Sequence, residues 1–242
     1  MHSRVRGYQL VMIFCSEKGV KSLEKDPNIL PAAVIYDSKF LLETPPHLIT
    51  STGLRALDHA MEIMYHSEAS EFTRQMALQA AAKLFKYLPL YNKNPKDEAV
   101  ITQLCLGAYS ALGFLGKVNA GLGLSHALGY ALGSPYGIPH GITSCITLGA
   151  VVKMKAQSDD NACHEIARMV PFIGLQSTSD TKKDAEAVSD AIVKLVQELG
   201  LTTKLRDKGV GEDQVPVIVK RASGKESGPE FEKLKGLVRS LL

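Results

Sequence analysis

Four cysteines in 242 residues, Cys15, Cys105, Cys145 and Cys163, form no Cys-x-x-Cys pair and are too widely spaced for a disulfide framework. That scarcity argues against a stapled secreted domain and reads as reduced thiols, in the cytoplasm or in an organellar matrix such as the mitochondrial one. Charge of one sign is also missing: 28 basic and 25 acidic side chains leave a net charge of +3, scattered along the chain. Such a surface presents no strong field to nucleic acid or to an anionic membrane, so the expected partner is a small molecule. No apolar run approaches the roughly 18 residues of a membrane span. The apolar stretch from Leu10 to Cys15 follows Arg4 and Arg6, but it is short and has no small-x-small cleavage site before Ser16. A buried strand explains it better than a signal peptide. Internal repeats and low-complexity tracts are absent as well.

What is present is core material, 45% of the residues being hydrophobic. β-branched and aromatic residues bounded by turn formers gather at 9–15 and 32–36, which predicts strands there. Elsewhere the apolar spacing is helical. Pro45-Pro46 opens a short helix, and Thr52 can cap a second one through Met64. Ser70 precedes a long helix with Phe72, Met76, Ala80, Leu84 and Leu88 on its stripe, and Pro89 and Pro95 bracket a break. Residues 96–118 read as a helix with Val100, Leu104, Ala108, Leu112 and Leu115 inward. Residues 140–156 are nearly all apolar and belong at the bundle centre. An amphipathic helix with Ala185, Val188, Ile192 and Leu195 on one face ends at Gly200, and short surface helices follow around 212–222 and 229–241. The fold class is therefore mainly α, a helical bundle with a small N-terminal β appendage.

Two histidines stand fourteen residues apart across a helix break. Gly133, Ser134 and Pro135 end the helix that carries His126, and Pro139 suits the first turn of the next, where His140 stands. The chain turns back on itself there, so the two imidazoles can converge as half of a zinc or ferrous iron site, with metal–nitrogen distances of about 2.0–2.2 Å.

The motif Gly123-Leu-Ser-His126, followed after thirteen residues by His140 in Gly137-Ile-Pro-His140-Gly141, resembles the metal-binding segment of the iron-containing, group III, alcohol dehydrogenases and their maleylacetate reductase relatives. Thr44-Pro-Pro-His47 running on through Gly53-Leu-Arg55-Ala-Leu-Asp58-His59-Ala-Met-Glu62 resembles the family's first ligand helix. The segment from Asp26 to Asp37 resembles the strand and turn before it, and the segment from Leu199 to Asp213 resembles a late connector. The resemblance spans residues 19–223 in order. It implies a two-domain enzyme, usually a homodimer, in which an N-terminal domain binds NAD or NADP and a helical, dehydroquinate synthase-like C-terminal domain holds metal and substrate. Residues 43–242 correspond to the helical domain and 1–42 to a remnant of the nucleotide-binding one. The family's Gly-Gly-Gly-Ser type of pyrophosphate loop has no counterpart before Gly19.

By the same resemblance His59, His126 and His140 are metal ligands, for iron or zinc, and Arg55 and Tyr130 are the catalytic candidates. Tyr130, one turn after His126, stands where many members carry a histidine that assists proton delivery; it can donate a proton or serve as packing. Arg55 stands four residues before His59, at the family's aspartate ligand. A guanidinium cannot ligate a cation and repels one nearby, although three histidines can still hold zinc. Two readings of Arg55 stay open: a bidentate clamp on a substrate carboxylate, as maleylacetate reductases act on a dicarboxylate without the catalytic metal, or a partner for a bundle carboxylate such as Glu62. Asp58 is expected to point about 100° away from His59 and so not to replace the missing ligand. Gly129, Gly133, Gly137 and Gly141 read as packing and turn residues. The implied activity is NAD(P)-dependent hydride transfer to or from a small alcohol, aldehyde, ketone or keto acid, in a shortened chain. The alternatives are a noncatalytic helical dimerisation remnant and a dehydroquinate-synthase-like lyase.

Overall fold

The computed structural model describes residues 33–113, 118 and 121–242, together with the backbone of two strands, β1 (Val11–Cys15) and β2 (Lys21–Lys25). The strands pair antiparallel, Val11 opposite Lys25 and Cys15 opposite Lys21. The expected first strand is thus present over 11–15, its residues 9 and 10 lying outside the described ones. The second is displaced: residues 33–37 belong to no regular element, and the partner strand is the segment KSLEK, which has no β-branched residue to announce it. A strand needs an edge to pair with, and the neighbouring segment in sequence supplied it. Asp37 instead caps the short helix α1 (Ser38–Leu41) through the Lys39 amide.

Every regular element after that, among the described residues, is helical. Helix α2 (Pro46–Met64) is continuous, so the expected break at Thr52 is corrected: Pro46 starts it, where a missing N–H costs nothing, and the Thr52 hydroxyl donates back to Leu48 O inside the helix. Ser70 caps α3 (Glu71–Lys93) through the Thr73 amide. This helix runs through Pro89 and does not end there. Proline removes one backbone bond, but burial of Leu84, Leu88 and Tyr91 on both sides of it holds the helix together. Phe72, expected on the stripe, is 65% exposed, because the buried face runs through Thr73, Ala77, Ala80 and Leu84. Asp97 caps α4 (Glu98–Ser110), which is shorter than expected at both ends, and Leu115 lies outside the described residues. Then come α5 (Leu124–Gly133), α6 (His140–Ser158), α7 (Asp160–Ala167), α8 (Thr181–Glu198), α9 (Val215–Ser223) and α10 (Pro229–Ser240). Gly200 follows α8 with φ 68°, as a helix terminator should.

Helix α6 stands between two apolar cores, as its composition predicts. Leu148, Val152 and Ala156 pack with α2, α3, α4, α7 and α8, whereas Ile146 and Val151 pack with α5, α9 and α10. It approaches α2 so closely that a Cβ on Gly141 would lie 2.5 Å from the Ser51 carbonyl oxygen. No helix among the described residues is long and apolar enough to cross a membrane.

Candidate functional site

Where α2, α5 and α6 meet, the apolar interior gives way to a cluster of polar side chains. On α2, Arg55, Asp58 and Glu62 follow one another at three and four residues, so they share a face, and that face is buried. Exposure is 0% for Asp58 and Glu62, 4% for His126 and 7% for Arg55. Charges this deep persist only with partners.

The partners are specific. Glu62 bridges two groups at the start of α5: its Oε1 accepts from the Ser125 amide at 2.6 Å, and its Oε2 lies 2.6 Å from His126 Nδ1. The carboxylate thereby caps the helix end that Gly123 leaves without a side-chain cap, where the dipole favours an anion. Gly123 is required for this approach, since a Cβ there would come within 2.7 Å of Glu62 Oε1. Asp58 Oδ2 accepts from Ser144 Oγ at 2.6 Å, from Ser125 Oγ at 3.0 Å and from Arg55 Nη1 at 3.1 Å. Arg55 Nη1 also donates to Ser144 Oγ at 3.1 Å. Three buried polar atoms of the centre, Arg55 Nε, Asp58 Oδ1 and His126 Nε2, have no hydrogen-bond partner among the described residues.

Burial would raise the Asp58 carboxyl, but His126, Arg55 and the Ser144 hydroxyl together hold it well below the usual carboxylate range. Burial and the neighbouring Asp58 push Glu62 up. His126 is pushed down by burial and more strongly up by Asp58 and Glu62, so its net shift is upward. His59 goes the other way, lowered by burial and by the positive His126 and Arg55, and remains a neutral imidazole. The raised values have one sign for stability. A protonated His126 contributes below the ordinary imidazole range, near pH ~6.5, and that contribution is lost as pH climbs through its higher folded value. Glu62, also raised, acts in the same direction, because the folded state holds its proton more tightly. Stability to urea is therefore expected to fall as pH rises above the ordinary histidine range, and His126→Gln should flatten that limb. A wild-type profile that rises or stays level there would contradict the assignment.

Of the residues expected in the site, His59 lies with its ring stacked on that of His126, centroids 4.7 Å apart. His140 is half-buried, its ring 5.7 Å from that of Tyr130, which is 42% exposed and outside the hydrogen-bonded cluster. Arg55 pairs with a bundle carboxylate, and that carboxylate is Asp58 and not Glu62. The expectation for Asp58 is corrected: a turn of 100° from His59 still leaves it on the face of Arg55 and Glu62, at three and four residues, and it faces the centre. Ser125 and Ser144 were not anticipated. The available signal was three ionisable residues at helical spacing among Leu54, Leu57 and Met61, a charged stripe where an apolar one belongs.

Among the described residues, the group of three potential ligands whose donor atoms lie within 4.8 Å of one another is Asp58, Glu62 and His126. That set does not fit a divalent ion as it stands. Both Glu62 oxygens and one of the two Asp58 oxygens are already engaged, and the guanidinium holding Asp58 carries a permanent positive charge. At an effective dielectric of about 20, a guanidinium and a divalent ion ~5 Å apart repel by about 7 kcal/mol. A pyrophosphate is not accommodated at the start of α5 either, since Glu62 fills it.

Residues 49–234 match the model of the Fe-containing alcohol dehydrogenase family, C-terminal part. Alcohol dehydrogenase 4 of Schizosaccharomyces pombe is 29% identical over 90% of the chain, and the aldehyde-alcohol dehydrogenase of Clostridium acetobutylicum is 28% identical over 81%. The chain spans 51% and 24% of the lengths of these curated relatives. The crystal structure of maleylacetate reductase from Rhizobium sp. strain MTP-10005 shares the fold, with TM-score 0.81 at 22% identity over 97% of this chain and 63% of that one.

Proposed function

This chain belongs to the iron-containing alcohol dehydrogenase family, and from that premise we propose that it forms the substrate-side helical part of an NAD(P)-dependent oxidoreductase. Relatives named for alcohols, aldehydes and maleylacetate support a small carbonyl compound or its alcohol as substrate. Family membership also carries the expectation of NAD(P) and iron, of a homodimer and of a reduced cytoplasmic setting. Nicotinamide supplies and accepts the hydride in such an enzyme, and no described residue is assigned to hold it.

The observation that carries the reading is His126. Glu62 fixes its ring through Nδ1, which leaves Nε2 as a buried nitrogen with no hydrogen-bond partner among the described residues, in a centre that also holds the Arg55 charge. A carbonyl oxygen placed against Nε2 would accept a hydrogen bond and then a proton as it becomes an alcohol, and in the reverse direction Nε2 would take that proton back. Glu62 stabilises the imidazolium while it holds the proton. Asp58, through Ser125 and Ser144, keeps α5 and α6 in place around the ring.

The test is an assay of the purified chain with NADH or NADPH and a panel of small aldehydes, ketones and keto acids, beside a fluorescence titration of each cofactor. Turnover that His126→Ala lowers by about 10²–10⁴-fold is the expected result. Absence of both cofactor binding and turnover with every one of these classes would overturn the reading.

A further inference from the structure

We infer that Arg55 is a built-in cation: paired with Asp58, it supplies from within the chain the positive charge that the family's name assigns to iron, and the centre is complete without a divalent metal ion. The guanidinium is fixed on three helices at once. Its Nη1 reaches Asp58 on its own helix and Ser144 on α6, each at 3.1 Å, and a Cβ added to Gly129 of α5 would lie 3.2 Å from the same nitrogen. The glycine leaves the space that the arginine fills.

The acidic groups are disposed to match. Asp58 spends one oxygen on Arg55, Ser144 and Ser125, and Glu62 spends both of its oxygens on the Ser125 amide and on His126. A metal ion held by Glu62 would have to take that carboxylate from His126 or the Ser125 amide, and one held by Asp58 Oδ1, which Arg55 leaves open, would still come to rest beside a permanent positive charge. The carboxylate at position 58 lies three residues from Arg55, where helix geometry lets the two meet, so α2 carries its own ion pair. The inference stands on this geometry and goes beyond the reaction proposed above, so metal binding decides it whatever the chain turns over.

The experiment uses zinc(II) as the probe on the full chain. Wild type is incubated with excess zinc, desalted and measured for metal by mass spectrometry, and its melting temperature is followed with added zinc and with EDTA. The expected result is no stoichiometric zinc at the centre and no zinc- or EDTA-dependent shift. Arg55→Asp/Asp58→Asn, which moves the carboxylate to position 55, leaves the number of acids unchanged and removes the guanidinium, should gain zinc affinity by at least about a hundredfold and be stabilised by zinc. One equivalent of zinc retained by wild type and lost in His126→Ala would overturn the inference. So would a folded double variant that binds zinc no better than wild type. The wild-type measurement is decisive even where the double variant fails to fold.

Discussion

Asp58→Ala is expected to destabilise the fold by about 3–5 kcal/mol, the cost of breaking a buried ion pair from one side. The substitution removes a fully buried carboxylate that serves Arg55, Ser144 and Ser125 together. What it leaves is worse than what it takes away: a guanidinium 7% exposed without its ion-pair partner, and the buried Ser144 hydroxyl without its carboxylate acceptor, while Ser125 keeps only Thr147. Urea denaturation of wild type and variant measures the loss. The companion Arg55→Met/Asp58→Leu removes both charges and should recover most of it, since the pair's net worth over an apolar replacement is small. If Asp58→Ala costs less than about 1 kcal/mol, Arg55 finds another partner in the bundle, and the ion pair is not what holds it.

Gly141→Val is expected to cost about 3 kcal/mol or more, from overpacking at a contact that cannot relax locally. The atoms that a side chain would strike are backbone, the Ser51 carbonyl oxygen at 2.5 Å and its carbon at 2.6 Å, so neither rotamer change nor side-chain movement relieves the clash. One helix must shift. Because Gly141 follows His140 at the start of α6, and Ser51 lies one turn before Arg55 on α2, the shift would also open the Arg55–Ser144 contact. Loss of stability in denaturation should therefore come with loss of the alkaline stability limb attributed to His126 and Glu62. Gly53→Val, whose Cβ would meet only the flexible end of Leu88, is the control and should cost less. Equal effects of the two substitutions would show that the α2–α6 spacing has no special tightness.

The helices were readable because their signals are local. Ser70 and the Gly133-Ser-Pro135 break act within one turn of the chain, and the near-continuous apolar run of α6 announced an element buried on both sides. Sequence and structure part where a distant contact overrides a local preference. Pro89 breaks a helix in isolation, yet buried Leu84, Leu88 and Tyr91 carry α3 across it. Residues 32–36 have strand composition, yet the partner of β1 is a segment with none.

The family motifs and the positions of Arg55, His59, His126 and His140 were legible in the residues, since each depends only on identity and spacing. Spacing also limited the reading. A helical wheel centred on His59 turns Asp58 away, and only the packing of α5 and α6 against α2 shows which face of that wheel is the interior. It is the face of Arg55, Asp58 and Glu62, and the partners that make those charges tolerable, Ser125, His126 and Ser144, lie more than sixty residues further along. Helix periodicity is a short-range property and can be read from one segment. Charge compensation in a buried centre depends on which segments meet, and that is settled by the packing of the whole bundle.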